Sequence, residues 1–81
     1  MVKPLHTPEY EYFRAILVAA REKANLTQSE VSARLCRPQS FVAKYEGGER
    51  RLDVVEFVKV CKALDVDPHA VLAELQTKVG G

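Results

Sequence analysis

A stretch of twenty residues, 27–46, constrains the fold more than any other part of the sequence. It reads TQSEVSARLCRPQSFVAKYE, and apolar residues recur in it at Val31, Leu35, Val42 and Tyr45. This spacing turns one face of a helix toward a shared core. The stretch therefore predicts two short helices, joined by a tight turn, that pack against each other.

Capping residues and prolines predict five helix starts. Thr and Asp side chains accept hydrogen bonds from the free N–H groups of a first helical turn, and proline is tolerated at the first helical position. The residues that carry these signals are Thr7-Pro8, Thr27, Pro38, Asp53 and Asp67-Pro68. Glu30, three residues after Thr27, and Glu56, three after Asp53, complete two capping boxes. With no strand signal in the sequence, we expect an all-α domain of five helices.

Turn residues predict where the helices end. The first helix should run from Pro8 to Ala24 and end at Asn25, because asparagine tolerates the left-handed conformation. The other predicted ends are the turn Cys36-Arg37, the pair Gly47-Gly48, and Lys78, after which Val79-Gly80-Gly81 should fray. The predicted inner residues are Phe13, Leu17, Ala20, Leu26, Phe57, Cys61 and Leu64, with Val54 or Val60 beside them, and Val71, Leu72 and Leu75, inward or against a partner.

The face opposite the apolar positions of the 27–46 stretch is polar. It carries Gln28, Arg37, Gln39, Ser40 and Lys44. Glutamine can read adenine edges, and lysine and arginine can meet guanine or phosphate. A second helix that opens with small polar residues fits the layout in which a recognition helix enters the DNA major groove amino end first. The pattern predicts a DNA-binding module.

The sequence also resembles the lambda-repressor-like (Xre-type) helix-turn-helix family of bacterial and phage transcription regulators over residues 13–70. The residues that carry the resemblance are Arg21, Thr27-Gln28, Val31, Leu35, the run 38–42, Tyr45-Glu46, Gly48, the run 49–53, Glu56-Phe57 and residues 64–68. It implies the five-helix fold of that family, with the helix-turn-helix at helices 2 and 3. Asn25 and Cys36 stand where the family usually has glycine. We expect Cys36 to distort the turn slightly.

The resemblance implies roles for individual residues. A recognition helix of about Pro38–Glu46 would read bases through Pro38, Gln39, Ser40 and Lys44; the alternative is that these are ordinary exposed polar residues. Contacts to the DNA backbone would come from Gln28, Arg37, Phe41, Arg50 and Arg51. Arg21 and Glu46 would form a partly buried ion pair that ties helix 1 to helix 3.

For Phe41 and Arg51 the sequence leaves two interpretations open. Phe41 is exposed by the predicted register, so it would pack on a thymine methyl or the sugar-phosphate wall, or else tuck sideways against helix 2. Arg51 would contact phosphate, or instead pair with Asp53 or Glu56.

Size and charge fit a small cytoplasmic protein. The 81 residues allow a single domain, 1–81, with residues 1–6 as an arm and 79–81 as a frayed tail. The net charge is only +1, but residues 14–51 hold eight basic and four acidic residues, and residues 52–81 hold three and five. There is no apolar run of the ~20 residues that span a bilayer, and no secretory signal. We expect a cytoplasmic, nucleoid-associated protein with free thiols at Cys36 and Cys61.

Catalysis is not expected. His6 and His69 have no cysteine or carboxylate at metal-ligand spacing, and Cys36 has no third residue to complete a nucleophilic site. The sequence contains no phosphate-cradling loop. We therefore predict a protein that is not an enzyme and that uses no cofactor and no metal.

Two functions compete. The leading one is a sequence-specific transcription regulator that binds double-stranded DNA as a homodimer, because one small module makes few base contacts. Apolar residues that exceed the needs of the core would form the dimer patch on helices 4 and 5, namely Val55, Val58, Val71, Leu75 and Val79. The alternative is a protein-interaction module, antitoxin-like or adaptor, that binds DNA only secondarily.

Overall fold

The computed structural model describes residues 7–80, so the predicted arm 1–6 and Gly81 lie outside the described residues. The described chain contains five helices and no strand, as the sequence predicts. The helices are α1 (Pro8–Lys23), α2 (Gln28–Arg34), α3 (Ser40–Glu46), α4 (Val54–Leu64) and α5 (Pro68–Gln76). α3 packs between α1 and α2, α4 packs on α2, and α5 lies against α1 and α4.

The predicted caps of α1, α2, α4 and α5 are present. The Thr7 side chain accepts a hydrogen bond from the backbone N–H of Tyr10 at 3.1 Å. Both capping boxes form, one at Thr27 and one at Asp53, each with the glutamate three residues later. These interactions satisfy N–H groups that a helix start leaves without partners, so the helix starts follow directly from local sequence.

Three helix boundaries differ from the prediction. α3 begins at Ser40 rather than Pro38, because the N–H of Phe41 bonds to the Pro38 carbonyl at 2.9 Å and makes a turn of residues 38–39. α1 ends one residue early, at Lys23. α5 ends at Gln76 rather than Lys78, and its last turn is closed by the Thr77 hydroxyl, which donates to the Glu74 carbonyl at 2.7 Å.

The core is built from all five helices. Its buried apolar residues are Phe13, Leu17, Val31, Phe41, Val42, Tyr45, Phe57, Val60, Cys61, Leu64 and Val71. The sequence predicted Val54 or Val60 beside the inner residues of α4. Val60 is fully buried whereas Val54 is 78% exposed, so Val60 takes this place. Leu72 was predicted inward or in a partner, and in this chain it is half-exposed. Both cysteines are free, Cys61 buried and Cys36 exposed, and burial raises the pKa of the Cys61 thiol to about 11.

The turn between α2 and α3 depends on Cys36 in the left-handed region. Its φ is 55°, a conformation that glycine adopts without steric cost and other residues do not. The expected distortion is absent from the hydrogen bonds: the N–H of Cys36 bonds to Ala33 and that of Arg37 to Ser32, both at 3.0 Å. This is the paired closure of a Schellman motif. The cost of Cys36 therefore lies in its φ angle alone.

Replacing Cys36 with glycine should stabilise the fold. Relief of a left-handed residue gains ~1–2 kcal/mol, and the greater freedom of glycine in the unfolded chain returns about 0.5–1 kcal/mol of that. Urea unfolding of Cys36→Gly should therefore show a net gain of up to ~1.5 kcal/mol. Cys36→Ala is the control, because it keeps a Cβ and should leave stability unchanged. Equal stability of the two variants would contradict this reading of the turn.

Candidate nucleic-acid interface

The amino end of α3 is held against α2 by a buried serine. Ser32, 1% exposed, donates its hydroxyl to the Gln39 carbonyl at 3.2 Å and accepts the N–H of Val42 at 3.4 Å. Val31 and Val42, both fully buried, pack in the same contact. A single hydroxyl thus links the first turn of α3 to the middle of α2.

The carboxyl end of α3 is held by the Glu46 carboxylate. Arg21 approaches it with two nitrogens, Nε to Oε2 at 2.8 Å and Nη2 to Oε1 at 3.1 Å. The side chains of Arg21 and Glu46 are only 14% and 6% exposed. The hydrogen bond to Glu46 raises the pKa of Arg21 above its usual value. The ion pair implied by the family resemblance is present, in the two-point geometry that arginine favours.

Gln28 belongs to this network as well. Its side-chain amide Nε2 donates to Oε1 of Glu46 at 2.8 Å, so the donor that was expected to clamp a phosphate is already engaged. Arg14 adds a further contact, from Nη1 to the Glu46 carbonyl, and a Cβ at Gly48 would stand only 3.2 Å from its guanidinium carbon. Sequence reasoning did not find Arg14, which is 32 residues away from Glu46.

Loss of either partner of the Arg21–Glu46 pair should cost stability. Removing one leaves the other as a buried charge, at a cost of roughly 3–5 kcal/mol. Urea unfolding of Arg21→Ala, Glu46→Ala and the double variant should give a coupling energy of ~0.5–3 kcal/mol. The control pair, Arg21→Ala with Asp67→Ala, should be additive. Additive losses for Arg21 and Glu46 would show that the pair does not contribute to stability.

The exposed edge of α3 carries the predicted base-reading residues. Pro38, Gln39, Ser40 and Lys44 are all exposed. Gln39 is the N-cap residue, its side chain makes no cap, and its amide Nε2 instead donates to the Ser29 hydroxyl of α2 at 2.9 Å. The side-chain oxygen of Gln39, Oε1, has no hydrogen-bond partner among the described residues. Both helices therefore contribute polar groups to one edge.

Phe41 does not lie where the predicted register places it. It is 6% exposed and packs edge-on against Tyr45, with ring centroids 5.6 Å apart. The guanidinium carbons of Arg37 and Arg50 lie 4.5 and 4.9 Å from its ring centroid. Of the two alternatives for Phe41, the exposed aromatic that contacts the DNA backbone is corrected, because two arginine side chains cover the ring.

The three arginines predicted to contact phosphate already have partners in the chain. Arg37 and Arg50 both pair with Glu56, at 2.8 and 2.7 Å. These hydrogen bonds, first that from Arg50, lower the pKa of Glu56 to about 2. Arg51 pairs with neither Asp53 nor Glu56; its guanidinium carbon lies 5.0 Å from the centroid of Tyr10. All three side chains nevertheless reach the surface.

The apolar residues predicted to form a dimer patch divide into two groups. Val55, Val58 and Val79 are 63%, 47% and 52% exposed. Val71 is only 4% exposed and belongs to the core, so its assignment to a dimer contact is corrected. α5 packs against α1 and α4, and Val71 is the buried residue of this helix. Leu75 is partly buried and packs against the core.

Residues 7–80 contain no group of three or more His, Cys, Asp or Glu side chains that could hold a metal ion. Within the same residues no helix has both the length and the apolar character to cross a membrane. His69 contacts Asp67, the N-cap residue of α5.

Sequence and structure comparisons agree on the family. A family model described as Helix-turn-helix matches residues 17–71. An XRE-family like protein from Pseudomonas syringae pv. tomato str. DC3000 shares 46% identity with the chain, with a TM-score of 0.86 over 91% of this chain and 90% of that one. The chain belongs to the XRE-type helix-turn-helix family. A search of curated proteins finds no match.

Two restriction-modification controller proteins share the fold. C.AhdI from Aeromonas hydrophila is 27% identical, with a TM-score of 0.68 over 74% of this chain and 87% of its own. A mutant of C.Esp1396I is 15% identical, with a TM-score of 0.78 over 90% and 92%, and shows the likeness of the fold alone. The XRE-type family consists of regulatory DNA-binding proteins rather than enzymes, which supports DNA-binding transcription regulation for this chain.

Proposed function

We propose that this XRE-type protein binds double-stranded DNA sequence-specifically, with the amino end of α3 in the major groove. The observation that carries the proposal is a polar edge, Gln39, Ser40 and Lys44, on a helix fixed at both ends. Ser32 holds the first turn of α3 and Arg21 holds its last residue. Side chains on so rigid a support can meet base edges without a large loss of conformational freedom on binding.

The surroundings of this edge favour a polyanion. Arg37 and Arg50 lie over the Phe41 ring of α3, and residues 14–51 hold eight basic residues against four acidic ones. Contacts from such residues to phosphates supply affinity and register, whereas Gln39 and Lys44 supply sequence preference. Gln28 orients α2 and α3 through Glu46, and it reaches phosphate only with its remaining polar atoms.

We further propose that the protein acts as a homodimeric transcription regulator. One recognition helix addresses only a few base pairs, and a two-fold dimer doubles the footprint with half-sites ~34 Å apart, 10–10.5 base pairs. Exposed apolar side chains on α4, on α5 and just after α5 suit such a contact: Val54, Val55, Val58, Leu72 and Val79. Three of them, Val54, Leu72 and Val79, line a groove of about 310 Å³. A second copy that covers this surface would leave both α3 helices free to face one duplex.

Gln39→Ala should weaken and broaden DNA recognition. The lost base contact should cost ~1–3 kcal/mol per half-site and relax the preference at one base pair. Competition binding with a duplex selected from a random pool, and with its single-base variants, measures both effects. Gln76→Ala, an exposed glutamine on α5, is the control and should change neither. If Gln39→Ala kept the full sequence preference, Gln39 would not be a base-reading residue; if the wild type selected no sequence at all, the proposed function would fail.

Val58→Glu should give monomers. A charge on an apolar self-complementary contact is repeated across the two-fold axis, so it disfavours the dimer twice. Sedimentation at micromolar concentration should show twice the chain mass for the wild type and a single chain mass for the variant, with weaker DNA binding. Ala19→Glu introduces the same charge at an exposed position of α1, outside the proposed contact, and this variant should remain dimeric. A wild type that is monomeric and still protects a single half-site would contradict the homodimer.

A further inference from the structure

Two guanidinium groups converge on one carboxylate at the edge of the candidate interface. Nη2 of Arg37 lies 2.8 Å from Oε2 of Glu56. Arg50 contacts both oxygens of the same carboxylate, with Nη2 at 2.7 Å from Oε2 and Nη1 at 2.9 Å from Oε1. The two arginines come from different parts of the chain, one from the turn before α3 and one from the loop after it. Glu56 therefore links the turn before α3 to the loop after α3.

The carboxylate is itself fixed to the backbone. Glu56 Oε1 accepts the N–H of Asp53 at 3.0 Å, and the N–H of Glu56 bonds to Asp53 Oδ1 at 2.7 Å. Phe41 supplies an aromatic surface beneath both guanidinium groups. The cluster Arg37–Arg50–Glu56–Phe41 is thus anchored by α3 and by the start of α4.

The cluster carries an excess of positive charge, and its positive groups face solvent. In the ion pairs two cations share one anion, so the pairs leave one positive charge in surplus, while the Asp53 carboxylate acts on Arg50 only through space. The side chains of Arg37 and Arg50 are 40% and 36% exposed, whereas that of Glu56 is 12% exposed. The negative charge is therefore covered while the cations face solvent. A DNA backbone phosphate carries one negative charge, which matches the surplus, and arginine has further N–H groups with which to bind it.

We infer that Glu56 is a positioning residue that holds Arg37 and Arg50 together as a receptor for a single backbone phosphate and limits binding to non-cognate DNA. The inference rests on the proposed DNA-binding function. Without the carboxylate, two like charges would repel each other and separate. Each would then neutralise a phosphate wherever the duplex offered one, which favours sequence-independent binding.

Glu56→Gln isolates the charge from the helix cap. Glutamine can still complete a capping box, so α4 keeps its start. Glu30→Gln is the matched control, because it changes the net charge equally in the other capping box, where no arginine ion pair is formed within residues 7–80. The probe is a duplex of random sequence, and fluorescence anisotropy measures the affinity between 50 and 200 mM salt.

The variant should bind random DNA more tightly and with a steeper salt dependence. The slope of log affinity against log salt should steepen by up to about 0.9 per protomer for Glu56→Gln, and by less than half as much for Glu30→Gln. A role of Glu56 in capping alone would leave the slope unchanged. Equal changes in the two variants would overturn the inference while leaving the proposed function intact.

NMR of the arginine side chains gives a second readout that needs no DNA. In the wild type, Arg37 and Arg50 should show separate, slowly exchanging Nη signals, and Glu56→Gln should average them. Averaged signals in the wild type would overturn the inference whatever the DNA result. A different result is also possible: separate Nη signals for Arg37 and Arg50, but a wild-type affinity for DNA that does not change with salt. In that case the proposed function fails, and the inference fails with it.

Discussion

The geometry of the candidate interface depends on one buried carboxylate. Glu46 ends α3 and accepts hydrogen bonds from Arg21 of α1 and Gln28 of α2. A buried ion pair of this kind contributes little net stability, because desolvation offsets its attraction, but it penalises any arrangement that separates the charges. The last turn of α3 is therefore held in one orientation relative to two helices. The orientation of Gln39 and Lys44 at the surface follows from it.

The opposite end of α3, its amino end, is likewise held by a small number of contacts. Ser32 and the Schellman turn at Cys36 set the first turn of the helix, and Phe41 fills the space beneath Arg37 and Arg50. An aromatic ring that would be poorly placed in water is thereby buried by the stems and planes of two cations. The positive groups beside α3 are consequently part of the packing, and their positions are fixed before any ligand arrives.

Local features of the structure could be predicted from the sequence. The caps at Thr7, Thr27, Asp53 and Asp67 were correct because their interactions span at most three residues. The same caps, with no strand signal, predicted the all-α class with five helices, whereas the helix-turn-helix family fold and the Arg21–Glu46 pair came from a resemblance over most of the chain.

What could not be predicted depends on distant parts of the chain. Two positions stayed open for Phe41, outward or tucked against helix 2, because periodicity describes one helix and cannot include arginines from two other segments. The partner of Arg37 is 19 residues away, and Val71 is buried because α5 packs against α1 and α4. The central claim, that α3 meets DNA with its amino end, is tested most directly by NMR titration of labelled protein with a duplex selected from a random pool. The largest amide shifts should fall at residues 28–29 and 37–44; shifts concentrated on α5, or no selected sequence, would contradict the account.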